Sequence, residues 1–386
     1  MSELNPARMR GAVPAIAGVL RIAALFVVLL GFFVSLDVIG GAFSLMGRGF
    51  AEALLVTTRS PLLALFTGLL ATSIIQSSST TTSLTVAMVA SGALGIEGAI
   101  PIIMGANIGT TVTNVIVSMG HITRPEEFGR AMQGATVHDF FNWLTVLALF
   151  PLELAFGILS KPAQALTSAV ARVGGTELLS PVKAVTEPVA AWITVALGEV
   201  GWLVLVAGMA MLFLALRYLV VILKSLILGR AEGALQGIFD RPLLAMAFGL
   251  GLTVLVQSSS VTTSLIVPLV GAGLLTVHQV FPYTLGANVG TTITSLLAAL
   301  ALTAGATGAH QALAEAGLTV AFVHLLFNAG GILLYYPIPA MRRLPIAMAT
   351  FVGDLAYRNR AYAVAFVVVT FYVLPLLIEL GLSFVG

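Results

Sequence analysis

One polar octet occurs twice in this chain, at residues 76–83 as Gln-Ser-Ser-Ser-Thr-Thr-Thr-Ser and at residues 257–264 as Gln-Ser-Ser-Ser-Val-Thr-Thr-Ser. Both copies follow apolar stretches, and 59% of the 386 residues are hydrophobic while only 9% are charged. Such a composition predicts an integral membrane protein built from helices. Because water does not reach the membrane interior, hydroxyl and amide groups at that depth require partners. The two octets therefore constrain the fold more than any other feature.

The octets belong to a longer internal duplication. Gln257 follows Gln76 by 181 positions, and the register holds without a gap as far as residues 111 and 292; beyond a five-residue insertion in the 303–315 loop, residues 137–142 match 323–328 at an offset of 186. Between residues 76–111 and 257–292, 19 of 36 positions are identical. The chain is therefore predicted to consist of two structural repeats.

The apolar arm before the first octet is too short to cross a membrane. Residues 61–75 reach about 22 Å as a helix, whereas the hydrocarbon core is roughly 30 Å thick. We therefore expect a re-entrant hairpin whose polar tip lies near the midplane, with one long tilted helix as the alternative. Residues 105–111 (GANIGTT) and 286–292 (GANVGTT) each place two glycines and three polar side chains inside a span, which predicts local unwinding.

The predicted fold class is an all-α membrane protein with inverted structural repeats, each with three crossing spans and a re-entrant hairpin, plus one extra C-terminal span. An odd number of crossings inverts the second repeat relative to the first. If the N-terminus is cytoplasmic, twelve of the 18 basic residues lie on the inside and five on the outside, as the positive-inside rule requires. The expected divisions are repeat 1 over 13–159 (span 13–37, hairpin 61–94, broken span 98–119, span 134–158), an extracytoplasmic linker over 160–198, repeat 2 over 199–345 (a first span, hairpin 242–275, broken span 279–302, span 316–339), and a loop with the extra span over 346–386.

Broken helices that meet at mid-membrane are typical of secondary transporters. Helix N-termini and hydroxyl donors suit an oxyanion, whereas the side-chain oxygens of Gln76, Gln257, Asn107 and Asn288 suit a small hard cation such as sodium. Neither octet contains Lys or Arg, so bound cations would supply the counter-charge for a multiply charged anion. This pattern favours cation-coupled symport over uniport. No basic block suggests a nucleic-acid partner.

The paired octets, GANIGTT at 105–111 and GATVHDFFNWL at 134–144 resemble the type II sodium-dependent phosphate cotransporter family. The resemblance implies sodium-coupled import of inorganic phosphate by alternating access, with elevator-like movement, Na⁺ as the coupling ion and no organic cofactor. By matching position, it implies phosphate-binding residues Gln76, Ser77, Ser78, Ser79, Asn107, Thr110, Thr111, Gln257, Ser258, Ser259, Ser260, Asn288, Thr291 and Thr292. It places sodium at Gln76, Ser78, Thr81, Thr110, Gln257, Ser259, Thr262 and Thr291.

The sequence is compatible with one other class of cargo and argues against an intramembrane enzyme. Symport of another anion, a carboxylate or another oxyanion, is the alternative to phosphate. An intramembrane enzyme would need a nucleophile with a base or a metal cluster, and neither an H-E-x-x-H nor a G-x-S-x-G motif occurs, so no catalytic residue is assigned. Unlike animal relatives, the linker has no cysteine pair and no glycosylation motif, which predicts a bacterial inner membrane. A homodimer is also predicted.

Three ionisable residues near the octets are less specific. His138 and His324 occur at matching places in the two repeats and could relay protons, although such histidines more often hydrogen-bond a neighbouring helix. Asp139 has no acidic counterpart, because the matching residue is Leu325. We expect Asp139 to pair with Arg130 or a nearby hydroxyl rather than with an ion.

Overall fold

The computed structural model describes residues 60–90, 94–170, 183–226, 237–256, 258–303 and 309–385, together with 20–28 and a few further positions up to residue 45. All regular structure in these residues is helical. Four of the described helical segments are long and apolar enough to cross a membrane: Ile96–His121, Pro125–Phe156, Gln311–Tyr335 and Arg360–Gly381. The prediction of an all-helical membrane protein is confirmed at this level. The first span expected over 13–37 lies largely outside the described residues, as does Gln257.

The first half of the chain contains five described helices after residue 60. They are α1 (Pro61–Ile75), α2 (Ser78–Ala90), α3 (Ile96–Gly109), α4 (Val112–Ser118) and α5 (Pro125–Phe156), with a 3₁₀ turn at Met119–His121. Helix α1 begins where the Ser60 hydroxyl accepts the N–H of Leu63 at 3.1 Å. Proline at the first helical position and serine at the cap both favour a helix start.

The remaining helices follow in the same order as the sequence repeat. The expected linker contains α6 (Ser160–Val170) and α7 (Lys183–Ala196), and the second half contains α8 (Gly201–Leu226), α9 (Pro242–Val256), α10 (Ser259–Gly271), α11 (Val277–Thr303) and α12 (Ala309–Tyr335). The chain continues with α13 (Pro339–Arg358), α14 (Arg360–Val368), a π-helical turn at Val369–Val373 and α15 (Leu374–Val385).

The two halves pack their octet regions in the same way. Helix α1 packs along α3, and the matching helix α9 packs along α11. A Cβ atom at Gly105 would collide with the carbonyl oxygen of Leu65, and one at Gly286 would collide with that of Met246. Since Met246 follows Leu65 by the repeat spacing, glycine permits the same backbone-to-backbone contact in both halves.

The interruption expected in each glycine-containing span is present in only one half. Helix α3 ends at Gly109 and α4 begins at Val112, but α11 is continuous through the corresponding residues, so the prediction of a broken span over 279–302 was wrong. The two segments themselves differ only at one aliphatic side chain, so their own residues do not explain the difference, and one contact with a neighbouring helix does distinguish them. In the first half the Thr111 hydroxyl donates to Asp139 of α5 at 2.8 Å, whereas the position matching Asp139 in the second half is Leu325, which offers no acceptor.

The loop expected at the start of 346–386 is also wrong, because those residues continue α13. Its buried face includes Ile346, Ala349, Gly353 and Ala356, whose spacing of three and four residues is that of an amphipathic helix. This face packs against α5.

The largest hydrophobic core surrounds α5. The ring of Phe141 packs edge-on against Phe281 of α11 and Tyr335 of α12, with ring centroids 6.0 and 6.2 Å apart. The same core extends to α15 and the π-helical turn, which pack against α1. There the Thr67 hydroxyl donates to Glu379 at 3.0 Å, and the Tyr372 hydroxyl donates to the Ser73 carbonyl at 3.3 Å.

Candidate functional site

The first octet begins at a sharp change of backbone direction. Gln76 closes α1 in the left-handed conformation with φ 57°, and its N–H donates to the Thr72 carbonyl at 2.7 Å. Few residues other than glycine adopt this conformation, so packing must hold Gln76 there. The side chain is only 8% exposed, and among the residues that the structure describes its Nε2 has no hydrogen-bond partner. A buried amide donor therefore remains available at the start of the octet.

The next residue caps the following helix in both repeats. The Ser77 Oγ accepts the N–H of Thr80 at 3.2 Å and the Thr80 hydroxyl at 2.9 Å, and the Ser258 Oγ accepts the N–H of Val261 at 3.3 Å. Each capping hydroxyl keeps its own hydrogen, so it can still donate to a ligand. A donor at a helix N-terminus suits an anion.

The third octet position offers a hydroxyl without a protein partner. Ser78 and Ser259 are 4% and 3% exposed, and within the described residues neither hydroxyl has a hydrogen-bond partner. Ser79 and Ser260 are likewise buried. These serines can therefore face a ligand without losing an existing bond.

Four predicted sodium ligands donate their hydroxyl hydrogens within their own helices. The bonds are Thr81 to Ser77 O at 3.2 Å, Thr262 to Ser258 O at 2.9 Å, Thr110 to Ala106 O at 2.9 Å and Thr291 to Ala287 O at 3.1 Å. Their hydroxyl hydrogens are thus occupied while their oxygen lone pairs remain free. Oxygens of this kind suit a cation such as sodium.

The amide of Asn107 is fixed by the second repeat. Its Oδ1 accepts from Asn328 Nδ2 at 3.2 Å and lies 3.3 Å from His324 Nε2, while its Nδ2 donates to the Ile103 carbonyl at 2.9 Å. Both acceptor positions of Oδ1 are therefore used, and one N–H remains for a ligand.

The amide of Asn288 is fixed by the first repeat in the reciprocal way. Its Oδ1 hydrogen-bonds His138 Nε2, and its Nδ2 donates to Asn142 Oδ1 at 2.8 Å. Asn142 in turn donates to the Asn107 carbonyl at 2.8 Å, so it joins the two octet-associated asparagines. The expectation that His138 and His324 hydrogen-bond neighbouring helices is confirmed.

Hydroxyl contacts cross between the repeats as well. Thr82 of α2 and Ser295 of α11 are 2.8 Å apart, and Thr263 of α10 donates to Asn114 of α4 at 2.9 Å. Ser264 donates to the same Asn114 oxygen at 3.0 Å. Each octet helix is therefore bonded to residues of the other repeat, Asn114 and Ser295, that lie three positions after the end of its glycine-containing segment.

The structure brings the predicted residues together indirectly. Within the described residues, the serines at 77–79 form no hydrogen bond with those at 258–260, and the link runs through the asparagines, histidines and threonines. Sequence reasoning missed Asn114, Asn142 and Asn328 as part of this network. The recurrence of Val-His-x-x-x-Asn at 137–142 and 323–328 was the signal that could have identified two of them.

Asp139 lies beside this network and is fully buried. Its Oδ1 accepts from the Thr111 hydroxyl at 2.8 Å, and its Oδ2 has no hydrogen-bond partner within the described ranges. Arg130 instead donates to the Gly271 carbonyl at 3.0 Å. Of the two expected partners, the nearby hydroxyl is the one observed.

Comparison with known protein families shows which family this chain matches. The family model described as Na+/Pi-cotransporter matches residues 31–171 and 211–335, which include both octets and both glycine-containing segments. The chain belongs to the Na+/Pi-cotransporter family. The resemblance inferred from the octets is thus confirmed.

Within the Na+/Pi-cotransporter family, the chain is similar to two mammalian proteins over most of its length. It is 35% identical over 431 residues to sodium-dependent phosphate transport protein 2A of Rattus norvegicus, covering 92% of this chain and 66% of the relative. It is 33% identical over 464 residues to protein 2B of Homo sapiens, covering 96% of this chain and 66% of the relative. The chain thus spans slightly less than two thirds of these relatives. No solved structure matches it significantly.

Proposed function

We propose that this chain is a sodium-coupled symporter that imports inorganic phosphate. The observation that carries the proposal is the nature of the buried groups at the octets: amides and hydroxyls are present, and no Lys or Arg lies among the predicted site residues. A phosphate held by such groups alone would keep its full negative charge inside the membrane, where unpaired charge is costly. Sodium ions bound beside it supply the missing positive charge.

The available donors and acceptors divide between the two ions. Gln76 Nε2 and the hydroxyls of Ser77 and Ser258 offer hydrogens, and they stand at helix N-termini that favour an anion. Thr81, Thr110, Thr262 and Thr291 offer oxygen lone pairs, which favour sodium. The site thus provides complementary groups for both substrates.

Uptake of labelled phosphate into proteoliposomes tests this function directly. We expect accumulation under an inward sodium gradient and little uptake when choline replaces sodium. Excess unlabelled sulfate and succinate should leave the uptake nearly unchanged. If succinate or another oxyanion abolished uptake while excess phosphate did not, the alternative anion symporter would replace the phosphate assignment.

The finer architecture is part of the same proposal: inverted repeats over 13–159 and 199–345, each with a re-entrant hairpin built from α1–α2 or α9–α10. The reciprocal bonds of Thr82 with Ser295 and of Thr263 with Asn114 support a two-fold relation between the repeats.

Cysteine labelling tests the topology, and the native chain contains no cysteine. Gly305→Cys should label from outside and Leu235→Cys only after permeabilisation; both positions lie outside the described residues. The opposite pattern would contradict inversion.

We further propose alternating access through elevator-like movement of the octet helices. Cross-repeat bonds join α2 with α11 and α10 with α4, which supports their moving as one unit. Cysteines placed on α2 should become reactive from opposite sides in turn as the sodium gradient is reversed. A bacterial inner-membrane location and a homodimer complete the proposal, and membrane fractionation and chemical crosslinking test these two points.

A further inference from the structure

Two buried threonines outside the octets, one in each repeat, each carry a hydroxyl group that lacks a hydrogen-bond partner within the described residues. Thr72 and Thr253 occupy matching positions, each four residues before the glutamine of its octet. Both are 0% exposed, and neither hydroxyl has a hydrogen-bond partner in the part of the chain that the structure describes. The same unpartnered hydroxyl thus occurs independently in both repeats.

Neighbouring threonines show that this state is not a general property of these helices. Thr85, Thr110 and Thr291 each donate to a carbonyl four residues earlier, which is the ordinary way in which a helix satisfies a threonine hydroxyl. Thr72 and Thr253 had the same option and do not use it. Because a buried hydroxyl without a partner costs stability, its presence in both repeats calls for a common function.

The position of the two side chains indicates that function. A Cβ atom built at Gly109 would lie 2.8 Å from the Cβ of Thr72, and one built at Gly290 would lie 2.6 Å from the Cβ of Thr253. Each threonine side chain therefore packs against the glycine that immediately precedes Thr110 or Thr291 in the chain. Thr110 and Thr291 present oxygen lone pairs of the kind that a cation accepts as ligands.

We infer that Thr72 and Thr253 are sodium ligands, one in each repeat, in addition to the octet residues. The inference rests on the proposed function and extends it to two specific oxygens. A hydroxyl oxygen is a neutral hard ligand, and binding a cation gives each buried oxygen the partner that the protein does not provide. The paired positions further imply that the two sodium sites are equivalent in construction.

Sodium binding measured without phosphate or transport provides the test. The thermal unfolding midpoint of the purified full chain in detergent is followed as sodium replaces choline at constant ionic strength. Thr72→Val and Thr253→Val remove the hydroxyl at nearly constant volume, and each should raise the half-maximal sodium concentration by about 10-fold or more, since a bond to a charged group is lost. Thr72→Ser and Thr253→Ser retain the hydroxyl and should stay close to wild type.

Thr136→Val is the matched control, because Thr136 is equally buried but donates to the Met132 carbonyl at 2.8 Å. Thr136→Val should leave the half-maximal sodium concentration unchanged. Alanine variants provide a second hydroxyl-free pair if valine impairs folding. Normal sodium response in either hydroxyl-free variant would overturn the paired assignment. A wild-type chain that shows no sodium response and no phosphate uptake would instead reject the proposed function itself.

Discussion

The two glycine-containing segments, 105–111 and 286–292, have nearly the same sequence and different backbones. The first is interrupted after Gly109, and the second lies within the continuous helix α11. The asparagine of each segment bonds the matching histidine and asparagine of the opposite repeat, although Asn107 accepts from Asn328 whereas Asn288 donates to Asn142. Only the first segment meets a buried carboxyl group, that of Asp139. Local sequence therefore sets the amides and hydroxyls that both segments present, and the contact with the adjoining helix is the difference that accompanies the interruption.

The two repeats share some of their contacts, which form a symmetric part of the molecule, and differ in others, which form an asymmetric part. The symmetric part consists of the glycine contacts, the capping serines and the cross-repeat asparagines. The asymmetric part consists of Asp139 and of the C-terminal span, which contacts α1 through Glu379 and Tyr372. Variants in the symmetric part should have equal effects in the two repeats, and variants in the asymmetric part should not.

The largest effect is expected at the glycine contacts. Gly105→Ala and Gly286→Ala each place a Cβ against a backbone carbonyl that cannot rotate away, so each should lower the free energy of unfolding by about 3 kcal/mol or more. Thermal unfolding in detergent measures the change. Gly251→Ala is the control, because among the described residues no atom beyond its chain neighbours and the adjacent backbone of its own helix lies within 4 Å of its Cβ position. A large loss of stability in only one of the two variants would show that the glycine contacts in the two repeats are not equivalent.

The next effect concerns the free serine hydroxyls. Ser78→Ala and Ser259→Ala keep the packing and remove a hydrogen bond to a charged ligand, worth about 1.5–3 kcal/mol. Each variant should therefore raise the apparent dissociation constant for phosphate or sodium roughly 10- to 150-fold. Transport kinetics in proteoliposomes measure the constants. Ser73→Ala serves as the control, since the Ser73 hydroxyl already donates to the Leu69 carbonyl at 2.9 Å. Normal kinetics in both variants would make packing the better explanation of the octets.

A smaller and unequal effect is expected at Thr111 and Thr292. Thr111→Val leaves the buried Asp139 carboxyl group without any hydrogen-bond donor, which should cost about 1–3 kcal/mol of stability. Thr292→Val removes a bond to the Val289 carbonyl in its own helix and should cost about 1 kcal/mol or less. Chemical unfolding of the two variants compares them. Equal losses would show that Asp139 does not cause the interruption of the first segment.

Much of this organisation could be predicted from the sequence. The repeat spacing, the short arm at 61–75 and the polar octets are local or periodic features, and α1 has the bounds expected for that arm. The interruption could not be predicted for one half alone, because it depends on whether residue 139 or residue 325 is acidic and on which helix lies beside it. The helix α13 was missed because an amphipathic surface of Ile346, Ala349 and Gly353 is short and weakly apolar.

The sequence predicted which residues lie at the candidate site more reliably than it predicted their hydrogen-bond partners. Asn107 and Asn288 were expected, yet their hydrogen-bond partners Asn328 and Asn142 were not, since these lie 221 and 146 positions away in the chain. Reciprocal pairing between repeats is a tertiary property that one repeat alone does not reveal.

Isothermal titration of phosphate in the presence and absence of sodium shows whether bound sodium supplies the counter-charge. The site residues provide no positive side chain, so phosphate should bind measurably by isothermal titration in sodium buffer and only weakly in choline buffer at the same ionic strength. Thermodynamic linkage then requires phosphate to tighten sodium binding by the same factor. Equal phosphate affinity in the two buffers would contradict the claim that bound sodium supplies the counter-charge.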